Sequence, residues 1–313
     1  MAGNSYPEFI EFVREITNVE YAAGILGWDQ ETYMPPGGVG ERAGQMAALA
    51  KLHHDLFTSD RMRGYLEELR RSDVYDSLSP EEQTNVRETG WRFDREMSIP
   101  SELVKEMAKH TSLSLEAWKE ARGKDDFKLF EPYLEKMVDL KIQMAEYIGY
   151  EDNIYDALID EYEPGTCTKD VKAVFSELAE KLVPIVHKIA EADFEPNEAL
   201  LTQDFDLVDQ LEFGTEVVKA IGYDLEMGRI DKAPHPFCSG AIQDVRITYR
   251  SFPNDIRPSL FALAHEAGHA MYQQGLDPEY YATPMGEAIG LGFHESQSRM
   301  WENIVGRSMP FWR

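Results

Sequence analysis

Apolar residues recur at three- and four-residue steps through most of the chain, the spacing of amphipathic helices. Phe9, Phe12, Val13 and Ile16 make one face of a first helix, and Met46, Leu49, Ala50 and Leu52 resume the pattern after the break Met34-Pro35-Pro36-Gly37-Gly38. Ser79-Pro80-Glu81-Glu82 reads as an N-cap, a proline at the first helical position and an acidic first turn, opening a helix through Trp91 towards Met97. Pro100-Ser101 opens another, striped by Leu103, Met107 and Leu113, and a further helix runs from about Phe127 to Tyr147 until Gly149 stops it. Glu163 to Thr168 is a loop. The helix that follows carries Val171, Val174, Phe175, Leu178 and Leu182 on its apolar face, and its Pro184 predicts a kink. The character changes from about Arg229 to Phe252, where Val245, Ile247, Thr248 and Tyr249 alternate around Asp244, Arg246 and Arg250 as in a short strand. After Pro258 helix returns through Tyr272, turns over Gly275 to Pro284, and resumes to about Val305. The pattern predicts a mainly α fold, residues 1–313 forming a single mostly helical domain with one small β element near 229–252.

Charge narrows the partners. Lys plus Arg number 31 against 57 Asp plus Glu, a net charge of −26 that repels phosphate backbones and anionic headgroups. Nucleic acid and membranes are therefore excluded as expected partners, and the charge reads as a solvated acidic surface. The two cysteines, Cys167 and Cys238, make no disulfide framework and no C-x-x-C pair, which points to a reducing compartment. Glu8 and Glu11 stand where a secretory signal would be basic and then apolar, and no run of 18 apolar residues occurs. The expected location is cytoplasmic.

Chemistry concentrates late in the chain. Four of the eight histidines, His235, His265, His269 and His294, fall within 60 consecutive residues. His265-Glu266-Ala267-Gly268-His269 is an H-E-x-x-H string inside a helical run. At about 100° and 1.5 Å per residue its histidines lie about 40° and 6 Å apart, so both imidazoles can converge on one ion. Glu266 points about 100° away from His265, within reach of a water on that ion without being a ligand. Gly268, a poor helix former, suits a place where another element or a substrate comes close. Leu260, Phe261, Leu263, Ala264 and Met271 make the surroundings apolar, where unpaired histidines and a glutamate would be costly. A catalytic zinc needs a third protein ligand and one open position. Glu295 is the candidate, on the second helix of an antiparallel hairpin closed over Gly275 to Pro284, with Glu287 and Glu302 as rivals. The alternative reading of each rival is a surface carboxylate or a partner to a ligating imidazole.

Several strings, in order along the chain, resemble the thermostable, Taq-type metallocarboxypeptidases, family thirty-two of the metallopeptidases. They are Leu26-Gly27-Trp28-Asp29-Gln30-Glu31-Thr32-Tyr33-Met34-Pro35, then His235-Pro236-Phe237, Asp244-Val245-Arg246-Ile247-Thr248, His265 to His269, and His294-Glu295-Ser296-Gln297 running on through Ser298-Arg299-Met300-Trp301-Glu302-Asn303. The resemblance implies long helices around a zinc cleft, often in a homodimer, trimming single residues from peptide C-termini. It implies Zn²⁺, with Co²⁺ as a substitute, held by His265, His269 and Glu295, and Glu266 as general base. Members of that family continue beyond this point with I-R-x-x-A-D and G-x-x-Q-D-x-H-W strings, whereas this chain stops at Phe311-Trp312-Arg313. The expectation is that the family's C-terminal portion, including an arginine for the substrate carboxylate, is absent, and that the chain alone binds metal yet cleaves peptides poorly.

An exopeptidase reads a free carboxylate, usually with the planar fork of arginine. Arg246 is the in-chain candidate, with an ion pair to Asp244 as its structural alternative, and His235 and His294 are further candidates for substrate contact. Two other functions stay open. One is an endo-acting H-E-x-x-H oligopeptidase, which would cut amidated peptides. The other is a non-catalytic metal-binding fragment or a subunit of a split enzyme.

Overall fold

The computed structural model describes residues 5–313. Helix α1 spans Tyr6–Thr32 and buries the expected face, with Phe9, Phe12, Val13 and Ile16 at its core end. It runs on through Trp28, so the Leu26–Thr32 string makes up about the last two turns of a long helix. The Pro–Gly break ends it, and α2 follows over Val39–Phe57. The expected stripe of α2 is displaced: Ala43, Ala47, His54 and Phe57 are buried, whereas Leu52 is 46% exposed. Small side chains let helices approach closely, so packing selected the alanine face over the more apolar one. Helix α3 (Asp60–Leu69) and α4 (Pro80–Glu96) complete the first core, in which Phe9, Ile16, Met62, Leu66, Leu69 and Val86 are essentially inaccessible. Ser79 accepts from the Glu82 backbone while the Glu82 carboxylate accepts from Ser79 N–H, a full capping box at the predicted start of α4. Helices α5 (Ser101–Lys124) and α6 (Glu131–Ile148) close over Ile99, Leu103, Leu140 and Met144, and Gly149 stops α6 at φ 85°.

Helix α7, Thr168–Ala190, runs through Pro184 and departs from expectation in its packing. None of its residues is buried, and Val174, Phe175, Leu178 and Ile189 are 51–69% exposed. Helix α8 spans Leu207–Ile221, capped by Asp206 and stopped at Gly222 with φ 117°. No helix among the described residues is long and apolar enough to cross a membrane.

The β region is a three-stranded sheet of β1 (Gly228–Lys232), β2 (Cys238–Ala241) and β3 (Asp244–Tyr249) in the order β1-β3-β2. β1 runs parallel to β3 and β2 antiparallel to it. β3 is the strand whose alternation is clear in the sequence; β1 and β2 carry little β-branched patterning and gain their form from pairing with it. Val245, Ile247 and Tyr249 of β3 pack on Leu263, Ala267 and Ala270 of α9, which spans Arg257–Gln274. Tyr223 locks this layer, its hydroxyl donating to the Val245 carbonyl at 2.7 Å. The sheet thus braces the back of the helix that carries H-E-x-x-H. The chain then forms α10, Leu291–Arg299, continuing into a π-helical turn over Met300–Val305.

Candidate metal centre

Helix α9 has two jobs on two faces. Leu260, Leu263, Ala264, Ala267 and Ala270 are buried, while His265 and His269, one turn apart with ring centroids 4.9 Å apart, face α10. Gly268 is what lets α10 come close. A Cβ there would lie 2.6 Å from Ser298 Cα and 2.7 Å from the Gln297 carbonyl oxygen, so the close approach anticipated at this glycine is made by the backbone of α10. His265 meets Glu302, Gly268 meets Ser298, and His269 meets Glu295, a descending register that makes α9 and α10 antiparallel.

Glu295 Oε2 lies 3.2 Å from His269 Nε2 and 3.5 Å from His265 Nε2, and the three donor atoms sit within 4.8 Å of one another. Two ligands held about 2.0–2.1 Å from a tetrahedral zinc are about 3.3 Å apart, so this spacing fits one shared ion. The rivals are occupied otherwise. Glu287 pairs with Arg92 at 2.6 Å, and Glu302 sits on the far ring nitrogen of His265, Nδ1, at 2.9 Å.

The electrostatics fit a cation as well. Burial, with His294 and His265 adding to it, pulls His269 down to about 4, which leaves the imidazole neutral with a lone pair to give. Burial pushes Glu295 up, but hydrogen bonds from Ser298 and Arg299 and the neighbouring His265 outweigh it and hold the carboxyl below its usual range. Glu302 behaves alike, burial being outweighed by hydrogen bonds to His265 and Arg307. Glu266 is the exception. It is 6% exposed, and burial together with the charges of Glu295 and Glu302 raises it to about 8. Two imidazoles and one ionised carboxylate could together hold a divalent metal ion, with a desolvated acid close by.

The substrate-contact candidates are placed unevenly. His294 stacks on His269, ring centroids 4.4 Å apart and planes at 14°, and so forms a wall of the site. His235 lies edge-on to Trp118 at 6.5 Å, and burial, aided by Arg122 and Arg250, lowers its pKa. Arg246 donates from Nε and Nη2 to Asp244 at 2.8 and 2.9 Å and stands 4.3 Å over the Trp28 ring. Trp28 also takes Arg229 at 4.8 Å, and the Tyr33 hydroxyl donates to Asp231 at 2.5 Å, so the Leu26–Pro35 string is docked on the sheet. Glu302, a rival ligand by sequence, is instead the partner of His265; its i+7 offset from Glu295, which puts both on one face of a regular helix, is the sequence signal that it too faces α9.

The family model described as Carboxypeptidase Taq (M32) metallopeptidase matches residues 8–313. The chain belongs to that family. Thermostable carboxypeptidase 1 of Thermus thermophilus is 38% identical to this M32 chain over 98% of its residues and 62% of that protein. Carboxypeptidase 1 of Bacillus subtilis is 33% identical over 97% of this chain and 61% of that protein. Among solved structures, one described as BsuCP matches with a TM-score of 0.96 at 33% identity, covering 99% of this chain and 62% of that chain. The apo-Mg Pyrococcus furiosus carboxypeptidase matches with a TM-score of 0.85 at 36% identity. The chain therefore spans about 61–62% of the length of these two curated relatives.

Proposed function

We propose that this M32 chain carries the metal centre of a zinc-dependent carboxypeptidase that hydrolyses the C-terminal peptide bond of peptides. The observation that supports this reading is the convergence of His265 Nε2, His269 Nε2 and Glu295 Oε2 beside the desolvated Glu266. His265, His269 and Glu295 hold the ion, Zn²⁺ with Co²⁺ as a substitute. When bound, such an ion polarises the scissile carbonyl and acidifies water. A cation held by these donors also lowers Glu266 from about 8, since opposite charge favours the ionised carboxylate. Glu266 then takes a proton from the attacking water at a carboxylate oxygen and delivers it to the nitrogen of the departing amino acid. His294, stacked on His269, limits the freedom of that ring and lines the substrate's path. Arg246 is already committed to Asp244, so we place the main grip on the substrate carboxylate on a group other than Arg246. A cytoplasmic homodimer is part of the same proposal and follows from the family resemblance.

The test uses paired variants. Glu266→Gln retains one equivalent of zinc and, assayed with the segment that the longer relatives carry beyond the matched region supplied in cis or in trans, loses release of C-terminal amino acids from N-acylated peptides, whereas Glu295→Gln loses zinc itself. Equal loss of zinc in both variants overturns the division between base and ligand. Cleavage of a C-terminally amidated peptide as fast as the free acid replaces the exopeptidase reading with an endo-acting one.

A further inference from the structure

Both ring nitrogens of His265 have a carboxylate oxygen near them, and the two carboxylates differ. Nε2 faces Glu295 Oε2 at 3.5 Å, on the side where the three donor atoms converge. Nδ1 faces Glu302 Oε2 at 2.9 Å, a true hydrogen-bond distance. An ionised carboxylate only accepts, so this contact fixes the proton on Nδ1 and leaves the Nε2 lone pair pointing into the donor cluster. His269 has no such fixture: its one carboxylate neighbour, Glu295, lies at Nε2, and no side chain pairs with its buried Nδ1 among the described residues.

Glu302 is itself held. Its Oε1 accepts from Arg307 Nη2 at 2.8 Å and its Oε2 from Arg299 Nη1 at 3.1 Å. Arg299 spans the two acids, since its Nε donates to Glu295 Oε1 at 2.7 Å. The Glu302 side chain is 13% exposed against 42% for Glu295. Local backbone explains how it gets there. Seven residues along a regular helix put Glu302 on the face of Glu295 but about 10.5 Å further on, whereas His265 lies only about 6 Å from His269. The chain leaves the α repeat at this point. Met300–Val305 is π-helical, and Gly306 N–H donates to the Trp301 carbonyl five residues back at 2.8 Å. Such turns inside helices occur often at functional sites.

We propose that Glu302 is a positioning residue of the metal centre: it selects the Nδ1–H tautomer of His265 and orients Nε2 towards the ion, with Arg299 and Arg307 holding the carboxylate in place. The proposal rests on the reading of His265, His269 and Glu295 as metal ligands.

Zinc affinity measured by chelator competition tests it on the chain itself, alongside ¹⁵N shifts of the His265 imidazole in the metal-free protein. Glu302→Ala weakens zinc binding by about 10–100-fold, the usual loss when a partner of a ligating imidazole is removed. Its His265 ring populates both tautomers, whereas wild type shows Nδ1–H alone. Glu302→Gln, whose amide oxygen still accepts from Nδ1, recovers most of the affinity and the single tautomer. If the alanine variant fails to fold, Glu302→Met, which keeps the side-chain length and removes the acceptor, takes its place with the same expected loss of affinity. If His265→Ala loses zinc while both Glu302 variants bind it like wild type with an unchanged tautomer, the positioning role is overturned. If neither wild type nor any variant binds zinc, the ligand reading beneath it fails instead.

Discussion

Replacing Gly268 with alanine puts one methyl group at the closest approach of α9 and α10, and its consequence can be worked from distances. The new Cβ lies 2.6 Å from Ser298 Cα, 2.7 Å from Gln297 O and 3.0 Å from Ser298 N. All three atoms are backbone, so no rotamer change relieves the contact. Ordinary carbon contacts need about 3.5 Å, so α10 must withdraw by about 0.9 Å. Glu295 goes with it. Its Oε2, now 3.2 and 3.5 Å from the two imidazole nitrogens, moves to roughly 4 Å, against the about 3.3 Å that a shared tetrahedral ion imposes. Two energies compete in the metal-free protein. Alanine gains about 0.8–1 kcal/mol in helix propensity, and overpacking costs about 1–3 kcal/mol. The expected net effect is destabilisation by about 1 kcal/mol, with zinc affinity falling about tenfold or more. Thermal unfolding with and without excess zinc reads both: the apo midpoint drops slightly, and the zinc-induced rise shrinks by about 1.4 kcal/mol per tenfold loss of affinity. A variant with a higher apo midpoint and an undiminished zinc-induced rise would refute the argument, because it would mean that α10 is not held at van der Waals contact by the missing side chain.

Two further outcomes follow from the structure. Exposed apolar residues on α7 favour self-association, so Phe175→Glu with Ile189→Lys should cut hydrophobic-dye binding and sedimentation of oligomers while shifting unfolding by less than about 0.5 kcal/mol, since neither residue is buried. Arg246→Met should lower the unfolding midpoint through loss of the bidentate Asp244 pair and the Trp28 contact, and leave zinc binding intact; unchanged stability would return Arg246 to the role of a free carboxylate clamp.

What could be read from the sequence, and what could not, divides by the kind of constraint. H-E-x-x-H on a helix fixes two imidazoles by geometry alone, and Gly268 betrays a close neighbour because a helix interior disfavours glycine unless something occupies the space of a side chain. Ser79 and Glu82 are local for the same reason: a capping box is a contact between residues three apart. Helix α7 shows the opposite. Its periodicity announces a helix with an apolar face correctly, yet periodicity says nothing about which surface will cover that face, and none of the described chain buries it. The misplaced stripe on α2 has another cause, since hydrophobicity ranks Leu52 above Ala43 and Ala47 while close helix approach favours the smaller residues.

Arginine placement shows how global charge reaches into the site. With 57 acids to 31 bases, a guanidinium on a strand or turn finds a carboxylate two residues away: Arg246 takes Asp244, Arg229 takes Asp231, and Arg257 takes Asp255. On a strand, residues two apart share a face, so the first two of these pairs were legible from spacing. Arg122 and Arg250 differ. Both act electrostatically on His235, and neither pairs with a carboxylate among the described residues. In so acidic a chain, positive charge left uncommitted is scarcer information than another salt bridge, because an anion arriving at a paired arginine must first displace a carboxylate held at 2.8 Å. The guanidinium charge around His235 is therefore uncommitted to any carboxylate among the described residues, whereas that of Arg246 is tied up in the sheet's own ion pair.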